Sequence, residues 1–247
     1  MAQLTSNSSF ETKHTFKWNQ IKRGEIYMCN LSGKTYGSEQ NNGPGIIIQN
    51  NVGNNFSRTT IILMCTSREK KYISTHYKFN FIETDYIAMA EQIRTVDKTR
   101  LTQYLGRLSP EEMEEIDKIL EISLALNDKE SKIRRNLLDI RKGQVYLCDL
   151  SGNRGSEQGN KRPVIVVQND VGNKFSGTTI VLSCTTKHKK FLPTHYNFRF
   201  KGVDNIVLGE QIRTVSKDRF IHYMGELTPK EIEEVNKILN ISLDLNE

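Results

Sequence analysis

The side chains that could do chemistry in this chain come in pairs. His76 recurs as His195, and Glu91-Gln92-Ile93-Arg94-Thr95-Val96 recurs as Glu210-Gln211-Ile212-Arg213-Thr214-Val215, always 119 positions apart. In an extended segment Glu, Gln and Arg at these places present hydrogen-bonding edges that could read a polar ligand; a salt-bridged strand face accounts for them nearly as well. Each histidine lacks an evident partner and reads as structural before it reads as catalytic. Cys29 with Cys148 and Cys65 with Cys184 keep the same interval. With no CxxC pair, these four thiols make neither a disulfide framework nor an obvious zinc site, and they read as matched core positions. No metal or cofactor is called for.

That constant offset describes a chain built twice. Gly24-Glu25-Ile26-Tyr27 returns as Gly143-Gln144-Val145-Tyr146, and Ile122-Ser123-Leu124 as Ile241-Ser242-Leu243. The 247 residues accommodate two cores of about 110 residues each, whereas solenoid units are shorter, at about 20 to 50. The first unit is read as residues 21–126 and the second as 141–247. A tail (1–20) precedes them, and a linker (127–140) joins them, its Ile133, Leu137 and Ile140 at helical spacing. Gly143 to Leu150, Pro163 to Gln168, Thr178 to Thr185 and Ile206 to Thr214 are rich in β-branched residues and predict strands, bounded by turns at Gly152-Asn153 and Gly172-Asn173. Ser109-Pro110-Glu111-Glu112 and Thr228-Pro229-Lys230-Glu231 are helix starts, and Ile232, Val235, Ile238 and Leu239 continue the second at helical spacing. Each unit is therefore expected to be α+β, a small β-barrel or curled sheet closed by a C-terminal helix. Hydrophobic residues at 36% and charged residues at 26% suit a globular protein. The absence of a long apolar run and of a leader-like start predicts a cytoplasmic protein with no membrane partner.

Residues 155–186, GSEQGNKRPVIVVQNDVGNKFSGTTIVLSCTT, resemble the MazF/PemK toxin family, as do Pro193-Thr194-His195, Glu210-Gln211-Ile212-Arg213-Thr214 and Ile241-Ser242-Leu243-Asp244-Leu245. The resemblance covers nearly all of the second unit and most of the first. It implies an SH3-like barrel with helices, dimerisation, an antitoxin partner, and sequence-selective, metal-independent cleavage of single-stranded RNA beside the dimer interface. Members of the family are single units that pair, so this tandem chain would be a self-sufficient pseudo-dimer. Carried over by motif, the family's catalytic arginine falls on Arg162 and its catalytic threonine on Thr185. A fixed guanidinium suits the charge that builds on phosphate as the 2′-hydroxyl attacks, and a threonine hydroxyl can donate to the same oxygens. Glu157 and His195 are the chemical candidates for the general base, a role left open. The RNA-binding set implied by the resemblance is Ser156, Glu157, Gln158, Pro193, His195, Glu210, Gln211 and Arg213, with Glu39, Gln40, Thr66, Gln92 and Arg94 from the first unit. For Glu157 and Gln158 a turn's ordinary need for polar residues is the competing account.

The units differ where the resemblance is most specific. Gln158 to Gln168 reads QGNKRPVIVVQ, while Gln40 to Gln49 reads QNNGPGIIIQ, one residue shorter; aligning Pro44 with Pro163 puts Gly43 where Arg162 stands. Arg68, two residues beyond Thr66, could share its face but reads as a surface residue. Net charge follows the same asymmetry, zero over residues 21–126 (13 basic, 13 acidic) and +4 over 141–247 (16 basic, 12 acidic), which favours the second unit as the RNA binder. Two rival readings keep the fold and drop the cleavage: a toxin that binds gyrase, and a decoy that binds RNA or an antitoxin.

Overall fold

The computed structural model describes residues 21–31, 42–126, 140–152 and 155–245. The first half contains β1 (Glu25–Asn30), β2 (Asn42–Ile47), α1 (Asn51–Phe56), β3 (Thr59–Thr66), β4 (His76–Phe81), β5 (Thr84–Asp97), β6 (Leu101–Arg107) and α2 (Pro110–Leu124). The second repeats this order as β7 (Gln144–Asp149), β8 (Lys161–Val166), α3 (Asp170–Phe175), β9 (Thr178–Thr185), β10 (His195–Phe200), β11 (Val203–Ser216), β12 (Phe220–Glu226) and α4 (Pro229–Leu243). No described helix is long and apolar enough to cross a membrane.

The capping boxes read from sequence are present: Ser109 and Thr228 accept from the amides of Glu112 and Glu231, whose carboxylates return the bond. One expected turn is absent. Gly172-Asn173 lies inside α3, because Asn169 caps that helix by accepting from the Gly172 amide at 2.6 Å. A side chain at Gly172 would collide with Gln168, so glycine here serves close packing.

All strand pairs are antiparallel, in the order β12-β7-β8-β9-β11-β5-β3-β2-β1-β6, with β4 on β5 and β10 on β11. The closed barrels expected from sequence are not what the hydrogen bonds build, since the described strands form one open path across both halves. The long strand β5 explains this. One of its edges takes β3; the other takes β4 along residues 84–89 and then β11, at Arg94 opposite Arg213. An edge that could have closed a ring is spent on the other half of the chain.

Contacts between the halves come in exchanged pairs. The Thr95 hydroxyl reaches the carbonyls of Glu210 (2.9 Å) and Ile212 (2.7 Å), and the Thr214 hydroxyl those of Glu91 (2.7 Å) and Ile93 (3.0 Å). The Asn50 amide donates to Ser242 O at 2.9 Å and the Asn169 amide to Ser123 O at 2.8 Å. Arg23 and Lys142 each cap the carboxyl end of the other half's helix, at Leu243 O (2.9 Å) and Leu124 O (2.6 Å). One apolar cluster runs through both halves, from Ile26, Ile61, Ile93 and Leu120 to Val145, Ile180, Ile212 and Leu239. Replacing Thr95 or Thr214 with Val removes two hydrogen bonds to carbonyls that are at least partly buried, so each change should lower the unfolding free energy by about 1–3 kcal/mol. Denaturant titration followed by circular dichroism checks this, together with the single transition that a shared core requires.

Candidate active site

Strand register decides what stands beside Thr185. On β8 and β9, Val164 pairs with Ser183, and the same register carried two residues further sets Arg162 opposite Thr185. On β2 and β3, Gly45 pairs with Met64, which sets Gly43 opposite Thr66. The neighbouring ladders agree, with Cys148 across from Arg162 and Cys29 across from Gly43. The first half thus has a hydrogen atom where the second has a guanidinium.

Arg162 is held from below by its own loop. Its Nε donates to Gly159 O at 2.6 Å and its Nη1 to the side-chain oxygen of Gln158, so the remaining N–H groups are left for a ligand. Partial burial lowers its pKa from the ordinary guanidinium value. Thr185 is buried; its Oγ accepts the Lys187 amide at 3.1 Å, which leaves the hydroxyl hydrogen to donate elsewhere. Under this pair lies Cys184, whose thiol burial pushes up to about 12. Cys148 is likewise raised to about 12 by burial, and all four cysteines are buried and free, as expected.

Several residues of the expected binding set have partners inside the protein. Glu157 lies in a buried ion pair with Arg100 of the first half (2.6 Å, side chains 6% and 5% exposed) and accepts the Asp97 amide at 3.0 Å. His195 bonds Glu210 at 3.0 Å, and Thr194 bonds the same carboxylate at 3.1 Å; His76, Thr75 and Glu91 repeat the arrangement. Both candidate bases therefore have carboxylate or guanidinium partners, and Glu210, unrecognised in the sequence as the histidine's partner, fixes His195. Gln211 is buried and accepts the Gln158 amide at 3.0 Å. Ser156 and Pro193 are exposed, the latter on a groove with Leu192, Phe56 and Ile241 rather than beside Arg162. In the first half Thr66, Gln92, Arg94, His76 and Arg68 line one cavity of about 350 Å³, and Arg68 is exposed as expected. Glu39 and Gln40 lie outside the described residues.

Arg94 and Arg213 face each other where the halves meet. Burial, and then mutual repulsion, brings Arg94 down to about 10; burial brings Arg213 down to about 10 as well, against the pull of Glu157. At neutral pH both remain cations. Arg94 Nε and Arg213 Nε and Nη2 are buried without a hydrogen-bond partner, and Arg94 is only 8% exposed. Desolvated donors of this kind favour an anion.

The family model described as a PemK-like, MazF-like toxin of type II toxin-antitoxin systems matches residues 22–124 and again 141–243. This chain belongs to that family. Endoribonuclease MazF of Staphylococcus saprophyticus is 45% identical over 112 residues, which are 43% of this chain and 93% of that protein. An endoribonuclease from a mycobacterial species, solved with its cognate antitoxin, is 28% identical and covers 41% of this chain and 91% of its own, with a TM-score of 0.35. MazF of Deinococcus radiodurans is 22% identical over 41% of this chain and 94% of its own, with a TM-score of 0.38. Each relative matches one half, so this member is a tandem form.

In this toxin the thiols should be inert. Burial holds Cys148 and Cys184 as neutral thiols well above their usual titration range, and reaction needs the thiolate. A thiol reagent at pH 8 should label neither in the native protein and all four cysteines after denaturation. Rapid native labelling of Cys184 would contradict the packing under Arg162.

Proposed function

We propose that this chain is an endoribonuclease toxin of a toxin-antitoxin system that cuts single-stranded RNA, sequence-selectively and without a metal, at a single site on its second unit. In this reading residues 21–126 and 141–247 are two SH3-like units, joined by residues 127–140 after a tail (1–20), and they pack as a pseudo-dimer. Arg162 and Thr185 act on the scissile phosphate. The 2′-oxygen attacks phosphorus and loses its proton, the 5′-oxygen leaves and gains one, and a 2′,3′-cyclic phosphate and a 5′-hydroxyl end result. Arg162 offers N–H groups to the phosphate oxygens as charge builds, and the Thr185 hydroxyl donates beside it.

The observation that carries this reading is the register that pairs Val164 with Ser183 and Gly45 with Met64, which, continued two residues outward, brings Arg162 toward Thr185 but only Gly43 toward Thr66. In this reading the RNA backbone runs from Arg162 toward Arg94, which lines one cavity with Gln92 and Thr66. The site of action is the cytoplasm, where messenger RNA and an antitoxin would both be met.

Three variants test the assignment on a long RNA in EDTA, with cleavage ends mapped by sequencing. Arg162→Ala should lose about 100-fold to 1,000-fold in rate. Thr185→Ala should remove nearly all activity, and Thr66→Ala should weaken binding at most. Undiminished cleavage by Arg162→Ala, activity abolished by EDTA, or equal catalytic losses from the two threonine variants would each contradict the proposal.

A further inference from the structure

The loop that holds Arg162 is fastened mainly to the other half of the chain. Its four successive residues each meet an anchor. Gly155, in the left-handed region at φ +55°, comes so close to the Asp97 carboxylate that a side chain there would collide with it. The Ser156 amide donates to Asp97 Oδ2 at 3.0 Å. Glu157 pairs with Arg100 at 2.6 Å and accepts the Asp97 amide at 3.0 Å. Gln158 donates its amide to Gln211 and accepts Arg162 Nη1 on its side chain. Asp97 also caps the 98–100 turn that presents Arg100, accepting from the Thr99 amide at 3.0 Å and hydroxyl at 2.7 Å.

The two units part company at this anchor. The position 119 residues after Asp97 is Ser216. Ser216 makes no side-chain cap on the 217–219 turn, and its hydroxyl bonds only weakly to Asp218 at 3.3 Å. A hydroxyl offers neither the charge nor the two oxygens with which Asp97 grips a turn and a loop amide at once. The unit that lacks the arginine thus supplies the aspartate, and the unit that has the arginine lacks it. The two departures fall at corresponding places of the repeat: Gly43 stands where the second unit has Arg162, and Ser216 where the first unit has Asp97.

We propose that Asp97, with Arg100, is a positioning residue for the second unit's cleavage site, acting from the first unit through residues 155–158 to orient Arg162. This rests on the proposed cleavage at Arg162. The first unit is then retained as the mould against which the working loop is set. Misplacing a catalytic group by about 1 Å from a distance costs on the order of 100-fold in rate, so the anchor governs turnover more than substrate capture.

The test uses the full chain and a short RNA containing the mapped cut site. Asp97→Ser, which gives the first unit the second unit's residue, should lower kcat by about tenfold to 100-fold with KM within about threefold. The symmetry-related Ser216→Ala should leave both unchanged. If Asp97→Ser fails to fold, Asp97→Asn, which keeps the volume and one acceptor, carries the test in its place. Wild-type kcat in the folded aspartate variant, or an equal loss in Ser216→Ala, overturns the proposal. If the unmodified chain cuts no RNA, the proposed function has failed, and the anchor is read separately from hydrogen exchange: Asp97→Ser should speed exchange of the Ser156 amide at least tenfold, and unchanged exchange would overturn it.

Discussion

Everything distinctive about this molecule depends on the antiparallel meeting of β5 and β11, where Arg94 stands across from Arg213. Two cations directly opposite on paired strands repel each other, and both are partly desolvated. The magnitudes decide the outcome. Values near 10 leave each guanidinium charged by a margin of about a thousandfold at pH 7. The strands therefore stay together against the repulsion through other contacts: the exchanged threonine bonds, the helix ends capped from the opposite half, and an apolar cluster common to both. Positive charge persists at the junction as a standing demand for an anion.

Glu157 partly answers that demand and in doing so couples the halves chemically. Its carboxylate raises both arginines' pKa values while bonded to Arg100, and separating a buried pair of this kind costs about 3–5 kcal/mol. The loop carrying it also carries the contacts to Arg162. The charge at the junction and the geometry proposed for cleavage are thus both tied to one segment, with Asp97 and Arg100 as its fixed points. A single chain carrying both halves, unlike a pair of identical subunits, lets the two sequences differ, as Gly43 does from Arg162 and Ser216 from Asp97.

Much of this was legible in the sequence because repetition at a fixed interval needs no tertiary information. The halves, the buried cysteines, both capping boxes and the replacement of Arg162 by Gly43 all follow from aligning the chain with itself. Other features escaped for physical reasons. Gly172-Asn173 has turn composition, but the side chain of Asn169 bonds the Gly172 amide and starts a helix instead. Ring closure failed because β5 gives its free edge to β11, a choice that no property local to either strand encodes. Asp97 carries no local signal, because its loop partners lie 59 and 60 residues away. Its signal was the break in the repeat at Ser216, which marks function only once the neighbour is known. Glu157, Glu210 and Gln211 were expected to face RNA, yet much of their hydrogen-bonding capacity is directed inward, toward Arg100, His195 and the Gln158 amide.

The central claim is that two units make one site, and binding stoichiometry tests it most directly. Isothermal titration of the full chain with a 2′-O-methylated oligonucleotide bearing the mapped cut sequence, which can bind but has no 2′-hydroxyl to attack, counts sites without turnover. The account predicts one oligonucleotide per chain, with affinity that falls as salt rises. Two equivalent oligonucleotides per chain would contradict it.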